Sequence, residues 1–328
     1  FLTVTITLHT FSYAGANQVL CENQVLQLFG EAENYSSTLW STTGDGTFSN
    51  AFALNTLYFP GTLDIVQGQI PFTLNVYPQQ PCLMMASDIM TASVMPEPFA
   101  EAGPDAEICE GDLFFLDGEA GNYTSINWAT SGNVTLNYAT LIDPLYYPGT
   151  MDIMSGYVFL SVSVEAIQPC TIGASDVMKL NIKHAPTVNA GEDISVCESG
   201  VALLSGTASY FSAVSWSGDG DGIFNNTANL NTAYLPGSAD KEAGMVNITL
   251  SAFPMDPCVG ATIDEMSLFI QSLPYAYAGP DLEVCFNQEV QIDQADFENY
   301  SNVEWYSLSG TGSFDDVNAL NPVYYPNI

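Results

Sequence analysis

The chain has 328 residues and a formal net charge of −34, with 37 Asp plus Glu against only 3 Lys plus Arg. The imbalance comes from missing base: there is no Arg, and the three cations are Lys179, Lys183 and Lys241. So few cations exclude nucleic acid as a partner, because phosphate contacts need Lys or Arg, and they disfavour adhesion to an anionic membrane.

Read in chain order, the sequence repeats. Gly15, Gly103, Gly191 and Gly279 each follow an Ala and stand 88 residues apart. The same step separates Cys21, Cys109, Cys197 and Cys285, and also Cys82, Cys170 and Cys258. A fixed period must be settled before any other reading, because it decides the architecture. It divides the chain into residues 1–12, the last strand of a preceding module; three whole modules at 13–100, 101–188 and 189–276; and an incomplete module at 277–328. The opening segment Leu2–Thr10 matches the stretch before the later Ala-Gly markers, such as Met178–Lys183. A window from a longer repeat protein is therefore expected, and the absence of a signal peptide or initiating Met agrees with an interior, mature segment.

The second module shows the elements. Ala102-Gly103-Pro104-Asp105 reads as a turn and Ala106–Cys109 as a short strand; Leu113–Leu116 follows, before a turn at Asp117-Gly118. Ser125–Thr130 alternates around Trp128; Val134–Leu136 and Leu141–Tyr147 are short strands. Val158–Ile167 and Val177–Ile182 are longer alternating strands that close the module. About seven strands, turns every 8–12 residues, no helical periodicity and a Trp between two Cys are the pattern of an immunoglobulin-like sandwich. The predicted fold class is therefore all-β: tandem immunoglobulin-like β-sandwich modules. Links of three to six residues that carry Pro, such as Pro98-Phe99-Ala100 and Ala185-Pro186-Thr187, predict an extended rod.

The cysteine spacings alternate between 61 and 27 residues, which predicts one disulfide per module: Cys21–Cys82, Cys109–Cys170 and Cys197–Cys258, stapling one end of each sandwich. Cys285 is left unpaired, its partner expected about 61 residues further on. Zinc is the rival reading, but no CxxC pair or His cluster accompanies these residues. Disulfides place the chain in an oxidising, extracytoplasmic compartment. No apolar run reaches the ~18 residues needed to cross a bilayer, so direct membrane insertion is not expected.

Trp40, Trp128, Trp216 and Trp305 read as core residues, with ligand stacking as the alternative. Asp64, Asp152 and Asp240 stand four residues after a Pro and four before a Gly, which suits a carboxylate that accepts backbone hydrogen bonds and pins a turn. Acids at the module starts, above all Asp105, Asp193 and Asp281, are candidate calcium ligands at the junctions. An Asp after Ala-Gly-Pro also simply makes a turn, and the first module has Asn17 there. Asn34-Tyr35-Ser36, Asn122-Tyr123-Thr124 and Asn299-Tyr300-Ser301 match the N-glycosylation sequon, although Tyr210 at the same place in the third module equally suggests an aromatic turn. For catalysis there is little to work with. His9 and His184 lie far apart in sequence, there is no Arg, and no Gly-rich phosphate loop is present. An enzyme is not expected, and no cofactor is implied beyond possible calcium.

The motifs Ala-Gly-Pro-Asp-x-x-x-Cys (102–109), Trp128 before Thr-Ser-Gly (130–132), Tyr-Tyr-Pro-Gly-Thr-Met-Asp (146–152) and Pro-Cys (169–170) resemble the tandem repeats of giant cell-surface adhesins of gliding Bacteroidetes. The resemblance covers the whole chain and departs in the first module, where Ala16-Asn17 replaces Pro-Asp. It implies type IX secretion across the outer membrane and display at the cell surface as a stalk that projects a binding tip and transmits force in adhesion or gliding. Its partners would be neighbouring modules of the same chain, with a surface or polysaccharide ligand bound elsewhere. The alternatives are a subunit of a self-assembling extracellular filament or surface layer, and a polysaccharide-binding array.

Overall fold

The computed structural model describes residues 1–327 except residues 5, 7, 135 and 286. The strands expected over Leu2–Thr10 and Val134–Leu136 include Thr5, Thr7 and Thr135, and so fall partly outside the described residues. The chain divides into two compact units, one ending at Lys183 and the other starting at His184.

The first unit holds two modules. In the first, the strands are β1 Phe11–Tyr13, β2 Gln18–Cys21, β3 Leu26–Phe29, β4 Glu31–Glu33, β5 Tyr35–Thr42, β6 Thr47–Phe48, β7 Asn55–Phe59, β8 Gln69–Pro78 and β9 Ala86–Met95, with a helix α1 at Thr62–Gln67. One sheet runs β2-β9-β8-β5 and the facing one β3-β7-β6, with β1 and β4 paired beside them. β2 lies parallel to β9 with Cys21 beside Met95, and the other pairs are antiparallel. This is an immunoglobulin-like sandwich, and the all-β fold of tandem modules stands. β1 pairs with β4 of its own module, so each module starts about two residues before the expected boundary; Phe99–Glu101, for example, pairs with Glu119–Gly121.

Period-two alternation explains the core. Ile70, Phe72, Leu74 and Val76 of β8 are fully buried, while their neighbours face outward. They pack on Leu26, Leu28, Trp40, Tyr58, Met90 and Ala92. Equivalent clusters form around Trp128 and around Trp216. Gly30 belongs to this packing: a Cβ there would press on the Trp40 indole and on Leu74.

Six-residue helices at Thr62–Gln67, Thr150–Ser155 and Ser238–Ala243 correct the expectation of a chain without helix. Each is little more than one and a half turns, too short to leave a 3.6-residue period in the sequence. Each ends at a glycine in the left-handed region, such as Gly68 at φ 70°, where a residue with a Cβ is strained. The second unit repeats the design in the third module, with its four-stranded sheet of Ile194–Cys197, Thr262–Gln271, Met245–Pro254 and Phe211–Gly218. Residues from 275 on form the counterparts of β1, β3, β4, β6 and β7.

Candidate functional site

Two clusters of polar groups recur: one at the helix of each module and one at the junction between modules.

At the helix, the buried Asp64 carboxylate accepts from the Tyr58 hydroxyl at 2.7 Å and from the N–H groups of Gly61, Gly46 and Asp45 at 3.0, 3.1 and 3.2 Å. Asp45 in turn accepts from the N–H groups of Leu63 and Asp64 at the start of the helix. The third module repeats the cluster with Tyr234, Gly237, Asp240 and Asp221. In the second, Asp152 holds Tyr146 and the Gly149 N–H. The Leu63 N–H, foremost among its donors, holds the exposed Asp45 carboxyl below the usual carboxylate range, and Ala239 does the same for Asp221. Burial first, then the bond to a carboxylate, pushes the hydroxyls of Tyr58 and Tyr234 well above the ordinary 10.0; Tyr146 is pushed up for the same reasons. These aspartates therefore pin the turn, as their spacing suggested, and each carboxylate is occupied by donors of its own module.

The cysteines require a correction. Cys21 is bonded to Cys170, 149 residues away with Cα atoms 4.9 Å apart, and Cys82, Cys197 and Cys285 are free thiols. Cys109 and Cys258 are disulfide-bonded. The expected staples Cys21–Cys82, Cys109–Cys170 and Cys197–Cys258 are thus not formed. Strand geometry gives the reason. Cys21 ends β2 beside Met95, at the last residue of β9, whereas Cys82 lies in the turn that leads into the start of β9. The ten-residue length of β9 separates them by ~30 Å, and a disulfide needs Cα atoms within about 7 Å. The turn before the last strand of module 2, which carries Cys170, is what meets Cys21.

The junction between modules 1 and 2 is held from both sides. Only Pro96, Glu97 and Pro98 separate β9 from the first strand of module 2. The Glu97 carbonyl accepts from the Asn122 side chain at 3.0 Å, and the Glu97 carboxylate accepts from Asn23. Cys170 Sγ sits 3.6 Å from the Met95 carbonyl, and Gln24 reaches the Pro169 carbonyl. Asn34 and Asn299 make the same amide-to-linker bond, to His9 and Leu273. Asn34, Asn122, Tyr210 and Asn299 all adopt positive φ, a region that Asn tolerates better than most residues. At Tyr210 the ring instead stacks on His184, with centroids 4.4 Å apart.

The candidate calcium ligands have other work. Asp105 accepts from the Lys179 N–H and Asp193 from the Ser267 N–H, both at 2.8 Å, and Asn17 does the same for Thr91. An amide serves as well as a carboxylate there, which accounts for Asn17. Asp281 is exposed. Among the described residues no group of three or more His, Cys, Asp or Glu is placed together. Sequence reasoning missed Asp88, Asp176 and Asp264, which accept from the Ala14, Ala102 and Ala190 N–H groups at 2.8, 2.9 and 2.7 Å. Their 88-residue spacing was the signal that could have found them.

Trp40, Trp128 and Trp216 are buried, and each donates its indole N–H to a loop carbonyl. Trp305 makes the same bond, to Ala319, and is half-buried. No counterparts of β8 and β9 stand over it among the described residues.

No family model and no curated protein sequence matches the chain. Among solved structures it is similar to extracellular cadherin domains 1–4 of protocadherin gamma B7 at 11% identity, covering 89% of this chain and 84% of that one, with a TM-score of 0.45. The N-terminal eight Ig domains of Down syndrome cell adhesion molecule give 9% identity over 98% of this chain and 45% of that one, with a TM-score of 0.44. The insect immune protein hemolin gives 14% identity over 80% and 76%, with a TM-score of 0.34. Likenesses at this level say nothing about what the chain binds or does. Among the described residues no helix is long and apolar enough to cross a membrane.

Proposed function

We propose that this chain is a structural stalk segment of a long, secreted bacterial cell-surface adhesin. It would project a binding tip and transmit force in adhesion or gliding, rather than catalyse a reaction. The observation that carries the reading is the junction in the first unit. Three linker residues, two of them Pro, are gripped by side chains of both modules, and a disulfide crosses between those modules. A joint built this way resists bending and extension, as a load-bearing extended rod requires. The repeat motifs that resemble giant gliding adhesins of Bacteroidetes support the finer assignment, and the disulfides suit an extracellular location. Ligand binding is assigned to parts of the protein outside these modules.

The test is to label living cells that carry the protein with a fluorescent antibody fragment against this segment. Label that travels along the cell body is the expected result. Label fixed in long fibres, or shed into the medium, overturns the adhesin reading in favour of an extracellular filament.

A further inference from the structure

We infer that the disulfides form a series of ties between modules, each running from the first cysteine of one module to the second cysteine of the module that follows, and that Cys82 is the receiving half of one more such tie. This deepens the stalk reading, with which it shares the Cys21–Cys170 bond.

Cys21 and Cys170 are 149 residues apart, which is the interval within a module plus one full repeat. Cys109 and Cys258 stand at the same interval, and both are disulfide-bonded. The receiving seat is built alike in every whole module. Cys170 Sγ lies 3.7 Å from the Pro96 carbonyl, Cys258 Sγ 3.6 Å from the His184 carbonyl, and Cys82 Sγ 3.8 Å from the Leu8 carbonyl, in each case a residue 74 positions earlier. Cys82 therefore occupies a seat that, one repeat further on, holds a bonded sulfur. The giving side is also uniform. Cys21 ends its strand beside Met95, Cys109 beside Lys183 and Cys197 beside Gln271. The partner that fits Cys82 is accordingly a first cysteine on a module placed ahead of it. The bond forms by thiol–disulfide exchange. A Cys thiolate attacks oxidised glutathione and releases one glutathione thiolate; the second Cys thiolate then attacks the protein sulfur of the mixed disulfide and releases the other.

The test is disulfide mapping of the intact chain after acid digestion with free thiols blocked. Linked peptides Cys21–Cys170 and Cys109–Cys258 are expected; Cys21–Cys82 or Cys109–Cys170 peptides overturn the inference. For the half-site, residues 1–98 are placed ahead of residues 11–328, which adds one repeat in register, and the lengthened chain is oxidised with oxidised glutathione. A new link from the added copy of Cys21 to the original Cys82 is expected, and its loss with Cys82→Ser but not with Cys285→Ser. A Cys82 that stays fully alkylatable in the lengthened chain overturns its assignment. The proposed stalk role has its own readout on cells: a chain that maps as expected but does not move along them defeats that role and leaves the ties standing.

Discussion

The third module and the segment after it carry the same motifs and fold to different degrees. Both form the counterparts of β1, β3, β4, β6 and β7. Among the described residues only the third has a long hairpin, Met245–Pro254 and Thr262–Gln271, and only there are the counterparts of β2 and β5 strands, at Ile194–Cys197 and Phe211–Gly218. The reason lies in the strand pairing: β2 pairs with β9, and β5 with β8. Trp216 and Trp305 nonetheless make the same local bonds, from the indole to Asn229 or Ala319 and from the backbone N–H to Thr227 or Val317. The loop around the Trp is thus set by its own residues, whereas the larger sheet is templated by the hairpin.

The largest effect that could break this comparison is at the Trp. Trp216→Ala should cost about 4 kcal/mol, because it empties a closed core, while Trp305→Ala should cost about 1 kcal/mol or less at its half-open site. Hydrogen exchange at Ile248 and Leu250, against Val290 and Val323, reads the two regions separately; equal losses would mean that the hairpin does not make the core. Next, Asp240→Ala should cost the third module about 2–3 kcal/mol by stranding Tyr234 and two N–H donors, measured at the same amides. Smaller still, Tyr234→Phe should cost about 1 kcal/mol.

pH sharpens the same contrast. Tyr58, Tyr146 and Tyr234 hold their protons more tightly when folded, so the stability they add is complete below the ordinary 10.0 and is lost as pH rises beyond it. Asp45 and Asp221 are depressed, so their contribution is present above the ordinary 3.8 and fades as pH falls below it. Tyrosinate absorbance should show a late-ionising group that joins the rest on unfolding. A single titration at the ordinary value would refute the buried Tyr–Asp pair.

Much of this was legible in the sequence because repetition averages out local noise. The strand expected over Ala106–Cys109 has those bounds, Trp128 lies in the core, and Asp64 pins its turn as its spacing suggested. Cysteine connectivity was not legible. Equal intervals of 61 fit a staple as well as a tie, and the choice depends on β2 running parallel to β9, a non-local pairing that leaves no mark on spacing. The bond from Lys179 to Asp105 was hidden for a related reason: an acid beside a turn gives no sign in sequence that it reaches the backbone of a strand 74 residues away.

The bond between Cys21 and Cys170 has one more consequence. It closes a ring that includes both sandwich bodies and the Pro96–Pro98 linker. A protease that cuts the backbone once anywhere inside that ring converts it to a branched chain but does not divide the molecule. A staple within each module would have left the linker as the place where one cut severs everything. The arrangement observed makes that stretch redundant as a covalent connection, so that the two modules stay joined after a nick in the link between them.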